Sequence, residues 1–143
     1  MQEKVEAAPI LSMNSVEVLY DNVMLAIKGV SIQVPTGEMI ALLGSNGAGK
    51  STTLKAISGL LKAERGRISR GEIAFKGTDI TEVLAQNRVA MGICHVIEGR
   101  RVFEHLTPDE NLIAAAPRGM SRSVLNAEKE KIYDYFPRLA ERR

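Results

Sequence analysis

The sequence is short of most features that would mark an exported, metal-held or membrane-spanning chain. One cysteine, Cys94, stands alone in 143 residues, which excludes an internal disulfide. No cysteines and histidines cluster at metal-ligand spacing, so nothing suggests zinc, and the composition fits a reducing, cytoplasmic setting. The first twenty residues, MQEKVEAAPILSMNSVEVLY, carry acids where a signal peptide needs bases, and they contain no continuous apolar stretch to direct export. The most apolar run, Met39 to Leu43, is far too short to cross a bilayer, so any membrane role runs through a partner. A strong charge of one sign is missing too. The formal charge of +2 gives no electrostatic footprint for nucleic acid. Internal repeats and low-complexity tracts are absent.

What is present is one domain's worth of chain, able on folding to bury roughly two thirds of its unfolded surface. Residues before Met13 read as a loose leader (1–13). Val16, Val18 and Tyr20 alternate with Glu17 and Leu19, which predicts a strand over Ser15 to Tyr20; Ile32 and Val34 predict a second, closed by a turn at Pro35, Thr36 and Gly37. Met39 to Leu43 is an unbroken apolar run, the pattern of a strand covered on both faces of a parallel sheet. From Ser51 to Leu61 the spacing of Leu54, Ile57 and Leu61 predicts a helix ending near Gly59.

The basic, glycine-punctuated segment AERGRISRG reads as a surface loop before a short strand, Glu72 to Phe75. Thr81 to Met91 reads as a helix begun by Thr81, and Gly92 to Ile97 as a second buried strand with Cys94 as a small buried side chain. Thr107 as cap and Pro108 in the first turn predict a helix through Ala116. Leu125, Ile132 and Phe136 mark the apolar face of a last helix, ended by Pro137.

Between the apolar run and the first helix lies the sequence Gly44, Ser45, Asn46, Gly47, Ala48, Gly49, Lys50, Ser51, followed by Thr52. It matches the phosphate-loop pattern at every fixed position. Glycines let the backbone curl until successive amide hydrogens converge on a phosphate at the positive end of the following helix. Lys50 would neutralise the β and γ charge, and the Ser51 hydroxyl would complete the shell of a Mg²⁺ ion. Chance would supply the four fixed residues in about one chain of this length in two hundred, before the strand and helix context is required. These residues therefore predict a nucleoside triphosphate site with Mg²⁺.

With VEVLY, GVSIQVPTGEMIALLGSNGAGKSTTLKAISGLL and GRRVFEHLTPDENL, the chain from about Ser15 onward resembles the ATP-binding subunits of ABC transporters. GLL, FKGTDIT, IEGRRVF and YFPRLAERR are most similar to the subunits that energise uptake of branched-chain amino acids. The resemblance implies an α/β fold: a P-loop NTPase core of parallel strands (14–106), an antiparallel β patch, and the start of an α-helical subdomain (107–143). It implies ATP and Mg²⁺ as ligands, adenine stacking on Tyr20, and Glu98 at the position where most such ATPases carry a glutamine that touches Mg²⁺ and the attacking water. The acid at 98 and the isoleucine at 97, where proline is usual, depart from the wider pattern. Before Gly-Arg-Arg an acid is similar to the amino-acid importer subgroup.

From the residues alone, an acid at the end of an apolar strand also fits a Walker B carboxylate holding Mg²⁺, and spacing does not choose between the two. Arg100, Arg101 and Phe103 are candidates for touching a membrane partner, with an ordinary polar loop as the alternative. His95 and His105 lie too early for the family's γ-phosphate histidine and read as strand or loop histidines. The implied partners are membrane-spanning permease subunits, a second ATPase subunit and, indirectly, an external substrate-binding protein, with the chain peripheral on the inner face of the membrane.

The residues quoted stop before the place where the family's signature, catalytic Walker B strand and switch histidine would stand. The expectation is a truncated cassette that binds nucleotide with turnover near background and exposes apolar faces. A small stand-alone P-loop kinase or NTPase using Glu98 for Mg²⁺, and a non-catalytic ATP-binding module, are the alternatives.

Overall fold

The computed structural model of the protein describes residues 8–99 and 101–143. They divide into two compact units, one ending at His95 and one running Val96–Arg143. The division falls earlier than the 106/107 border expected from the sequence, because the segment before Thr107 is tied to the helix that follows it, as described below.

The first unit is built on a four-stranded antiparallel sheet of order β2-β1-β3-β4: β1 Pro9–Tyr20, β2 Met24–Pro35, β3 Gly66–Phe75 and β4 Thr78–Asp79. A tight turn joins β1 to β2. Asp21 and Asn22 both take positive φ, 51° and 60°, and Val23 N–H donates to Tyr20 O at 3.0 Å. Asp and Asn tolerate that backbone, whose twist matches paired strands. Val16 and Val18 are buried as their alternation with Glu17 predicts. They form the core with Met13, Ile27, Ile73, Phe75 and Ile80.

Three expectations about the strands are corrected. The leader is strand from Pro9 onward: Leu11 to Met13 pair with Val34 to Ile32 on one side and with Phe75 to Ile73 on the other, and Met13 is buried. The segment AERGRISRG is not a surface loop; apart from its first residues it is β3. Pairing with the long β1 overrides the polar composition, since one strand face can carry arginines into solvent while the ladder stays intact. The glycine in it, Gly71, has φ 83° and sits opposite a bulge at which Asn14 pairs with Glu72 and Glu17 with Arg70, leaving one extra residue in β1.

The third correction concerns the parallel strands. Among the described residues neither Met39–Leu43 nor Gly92–Ile97 joins a sheet, and Met39, Leu43 and Val96 are almost fully exposed. An apolar run states that it suits a buried strand. The ladder itself must come from neighbours, and every strand pair described here is antiparallel.

α1 spans Lys50–Ser58 and ends at Gly59, whose φ of 79° lets its N–H reach Lys55 O. Leu61 lies beyond, in a 3-10 turn over Leu61–Glu64. The buried face of α1 is Thr53, Ala56 and Ser58, whereas Leu54 is exposed. α2 is shorter than expected, Ala85–Met91. Thr81 does not cap it. Its hydroxyl instead accepts from Ile73 N–H at 2.9 Å and donates to Asp79 at 2.6 Å, which stitches the chain after β4 to the sheet.

The second unit holds α3 Pro108–Ala115, α4 Arg122–Tyr135 and the short α5 Pro137–Ala140. As expected, Thr107 caps α3, in a reciprocal box with Glu110. The expected apolar face of α4 is only half realised, because Phe136 is exposed and Tyr133 is the buried residue. Tyr133 is buried by chemistry: its hydroxyl donates to Asp109 Oδ1 at 2.6 Å, and Lys129 Nζ donates to Asp109 Oδ2 at 2.7 Å.

The Lys129 and Tyr133 hydrogen bonds hold the Asp109 carboxyl below its ordinary range. A depressed carboxylate stabilises the folded form above its unfolded pKa, and that contribution disappears as pH falls through the folded value. The Tyr133 ring resonances should therefore shift as acid is added below about pH 4. In Asp109→Asn that acid step should be gone.

Candidate phosphate-binding site

β2 hands the chain through the turn at Thr36 and Gly37 to an exposed segment without regular secondary structure, and the loop tightens only after Gly44. Gly47 and Gly49 take φ of 83° and 87°, a backbone that side chains resist. Gly49 is required for a second reason. A Cβ there would stand 2.4 Å from Ile27 Cγ2 and 3.3 Å from Ala26 O, so the end of the loop is pressed directly onto β2. At Gly44 a Cβ would come within 3.1 Å of the Ala48 Cβ, because start and end of the loop close on each other. Ala48 N–H donates to Ser45 O at 3.2 Å, completing the curl.

The lysine closes the ring. Lys50 Nζ donates to Gly44 O at 2.7 Å and to Ser45 O at 2.6 Å, so its ammonium lies back across the loop. Among the described residues no carboxylate pairs with it. Gly49 offers no side-chain cap, and the first helical bond of α1 is Thr53 N–H to Gly49 O at 2.8 Å, reinforced by the Thr53 hydroxyl at 2.9 Å. The amides of Lys50, Ser51 and Thr52 therefore have no acceptor within the helix. Free N–H groups at a helix start, the helix dipole and the Lys50 ammonium lie together at the loop, which is what an anion of several charges needs.

Tyr20 shares this unit. It lies two residues along β1 from Val18, whose β2 partner Ile27 carries Gly49. The Cδ1–Cε1 edge of its half-buried ring rests on Gly66, where a Cβ would be 2.7 Å from Cε1. Glu98 falls in the second unit, exposed at a turn completed by Gly99. The structure therefore brings together the residues from Gly44 to Thr52 and places Tyr20 on the sheet that Gly49 packs against, while Glu98 is described apart from them. Arg100 lies outside the described residues. Arg101 and Phe103 are exposed.

Several residues have roles that the sequence reading missed. Asn111 holds the segment before α3: its side chain accepts from Phe103 N–H at 2.9 Å and donates to Phe103 O, Leu106 O and Thr107 O. Arg88 is 2% exposed and spends its guanidinium on carbonyl oxygens of Val83, Ala56, Ile57 and Thr81; burial pushes it below its ordinary pKa. An arginine in a short helical pattern carries no signal of burial. His95 is a loop histidine, its Nδ1 2.8 Å from Ser58 Oγ. Cys94 is exposed, against expectation, because the run around it is not covered.

Among the described residues no helix is long and apolar enough to cross a membrane. Residues 27–142 match the sequence pattern of a family described as ABC transporter. The chain is 35% identical over 132 residues to the high-affinity branched-chain amino acid transport ATP-binding protein BraG of Pseudomonas aeruginosa, covering 92% of this chain and 54% of that protein. It is 32% identical over 131 residues to the ribose import ATP-binding protein RbsA of a Jannaschia species, covering 88% of this chain and 24% of that protein. Among solved structures, an ATP-binding subunit of an ABC transporter superposes with a TM-score of 0.71 at 29% identity, over 93% of this chain and 52% of that one. A nucleotide-free ATP-binding cassette from an ABC transporter gives 0.65 at 30% identity, over 85% and 46%. The chain thus spans about half the length of BraG and of both cassettes.

Proposed function

The chain belongs to the ABC transporter family, and from that premise we propose that it binds ATP with Mg²⁺ through the loop Gly44–Ser51, as part of the energising subunit of an importer for branched-chain amino acids. The observation that carries the reading is the loop geometry: among the described residues the amides of Lys50, Ser51 and Thr52 have no acceptor, and the Lys50 ammonium is bonded to two carbonyl oxygens of the same loop.

Each residue has a task. The amides from Gly47 to Thr52 bind and orient the β-phosphate, and Lys50 leaves Gly44 O and Ser45 O to neutralise the outer phosphates. Ser51 is exposed at the first turn, so its hydroxyl is free to take a metal ligand position. Bound there, Mg²⁺ would spread the charge of the β- and γ-phosphates. Tyr20 would stack on the adenine, and Glu98 is the candidate to touch Mg²⁺ and the attacking water.

The choice of branched-chain amino acids is supported by the 35% identity to BraG and by the acid at 98 before Gly99, Arg100 and Arg101. Relatives named for ribose and for oligopeptides are the competing cargoes. Permease subunits and a second ATPase subunit, with the chain held peripherally at the membrane, complete the proposal. Uptake of labelled leucine, ribose and a peptide by cells carrying the intact gene, against cells carrying Lys50→Ala, tests it. Leucine uptake alone should fall; a fall confined to ribose or peptide would replace the cargo.

A further inference from the structure

α1 carries the phosphate-facing amides on its first turn. Its fully buried residues are small, Thr53, Ala56 and Ser58; Ile57 packs half-buried against the core, and its one leucine points outward. Small side chains define the angle of a helix only loosely, because ridges and grooves have little to interlock. Two further contacts fix where α1 lies. One is the N-terminal end, where Gly49 is pressed onto Ile27.

The other is Arg88. Its Nη1 donates to Ala56 O at 2.7 Å and to Ile57 O at 2.8 Å, two carbonyls of the last turn of α1. From the same guanidinium, Nε reaches Val83 O at 2.8 Å and Nη2 reaches Thr81 O at 3.0 Å. Those acceptors are themselves anchored to the sheet, since Ile80 N–H donates to Ile73 O and Ile73 N–H donates to the Thr81 hydroxyl. Gly59 lets the start of α2 close in, as a Cβ there would meet Ala85 and Arg88 Nε at 3.1 Å. No carboxylate bonds Arg88 among the described residues, so its role is geometric. It also places a cation at the negative end of the helix dipole.

We infer that Arg88 is a positioning residue for phosphate binding: by clamping the last turn of α1 to the sheet, it sets where the amides of Lys50, Ser51 and Thr52 and the Lys50 ammonium meet the phosphates. A nine-residue helix spans about 13 Å and tilts as one rod, so freedom at one end becomes displacement at the other. Hydrogen bonds to phosphate weaken steeply with such misalignment. This inference rests on the phosphate-binding reading above.

The test is titration of the chain, Arg88→Ala and Arg88→Lys with Mg·ATPγS, at a temperature where circular dichroism shows each folded. Arg88→Ala should bind about tenfold more weakly. Millimolar methylguanidinium should restore much of that loss, because the vacated side chain adjoins an existing cavity of about 40 Å³ lined by Gly59, Leu61 and Thr81. The ³¹P resonance of the bound β-phosphate should move in Arg88→Ala and return on rescue, and Arg88→Lys should not substitute, since an ammonium cannot span four carbonyls. Unchanged affinity and ³¹P shift in the folded Arg88→Ala protein overturn the inference, because a residue that only stabilises would leave both alone.

Should Arg88→Ala fail to fold, the wild-type protein decides. Coupling is reciprocal, so Mg·ATPγS should slow exchange of the Arg88 Nε–H, and unchanged exchange overturns the inference. Wild-type protein that takes no nucleotide overturns the phosphate-binding reading and this inference together. Binding that is lost in Lys50→Ala and kept in Arg88→Ala overturns this inference alone.

Discussion

Lys50→Ala is expected to lower affinity for Mg·ATPγS by about a thousandfold, below what calorimetry detects at ordinary concentrations. The ammonium already reaches across the loop, and a unit charge pair at 4 Å is worth about 4 kcal/mol near a protein surface, which corresponds to that factor. Stability should barely change. The two hydrogen bonds that Lys50 makes in the empty loop end on exposed carbonyls, which water can satisfy equally well. The substitution thus separates binding from folding. Equal nucleotide affinity in the variant and the wild type would sink the assignment of the loop.

The largest expected effect on stability is at Gly71. A Cβ there would lie 2.4 Å from Asn14 O and 2.5 Å from Ser15 O, both backbone atoms of the bulge in β1. Neither can swing away as a side chain would, so Gly71→Ala must break the β1–β3 ladder at its centre. To this is added about 1–2 kcal/mol for putting a side chain at positive φ. Domain stabilities are roughly 5–15 kcal/mol, so a total of about 4 kcal/mol or more takes a large fraction. Gly29→Ala is the matched control, because its φ is 69° and nothing lies within 4 Å. In urea, Gly29→Ala should show only the small backbone term, while Gly71→Ala should unfold at much lower denaturant or without a cooperative step. Equal midpoints for the two variants would show that the bulge relaxes.

Features whose cause is local were legible in the sequence. The phosphate loop needs each glycine for a backbone angle or a close approach and needs Lys50 for reach, so its residue types announce its shape. The Thr107–Glu110 box is likewise complete within four residues, and Gly59 ends α1 by its own φ. Features decided by distant partners were not legible. The arginines of β3 look like loop residues until β1 lies beside them. Pro9 to Met13 look like a leader until two strands claim them.

Met39–Leu43 has the residues of a buried strand, which say nothing of whether a neighbour offers hydrogen bonds. Tyr133 is buried in preference to Phe136 because Asp109, on another helix, receives its hydroxyl. Arg88 was invisible for the same reason, since all its acceptors are backbone atoms and carry no side-chain signature.

The ammonium of Lys50, resting on Gly44 O and Ser45 O, would make nucleotide binding an exchange rather than a simple addition. Two carbonyl oxygens would give up a cation as phosphate takes it, and water would replace it on them. The attraction between lysine and phosphate is therefore partly offset by contacts already present in the empty loop.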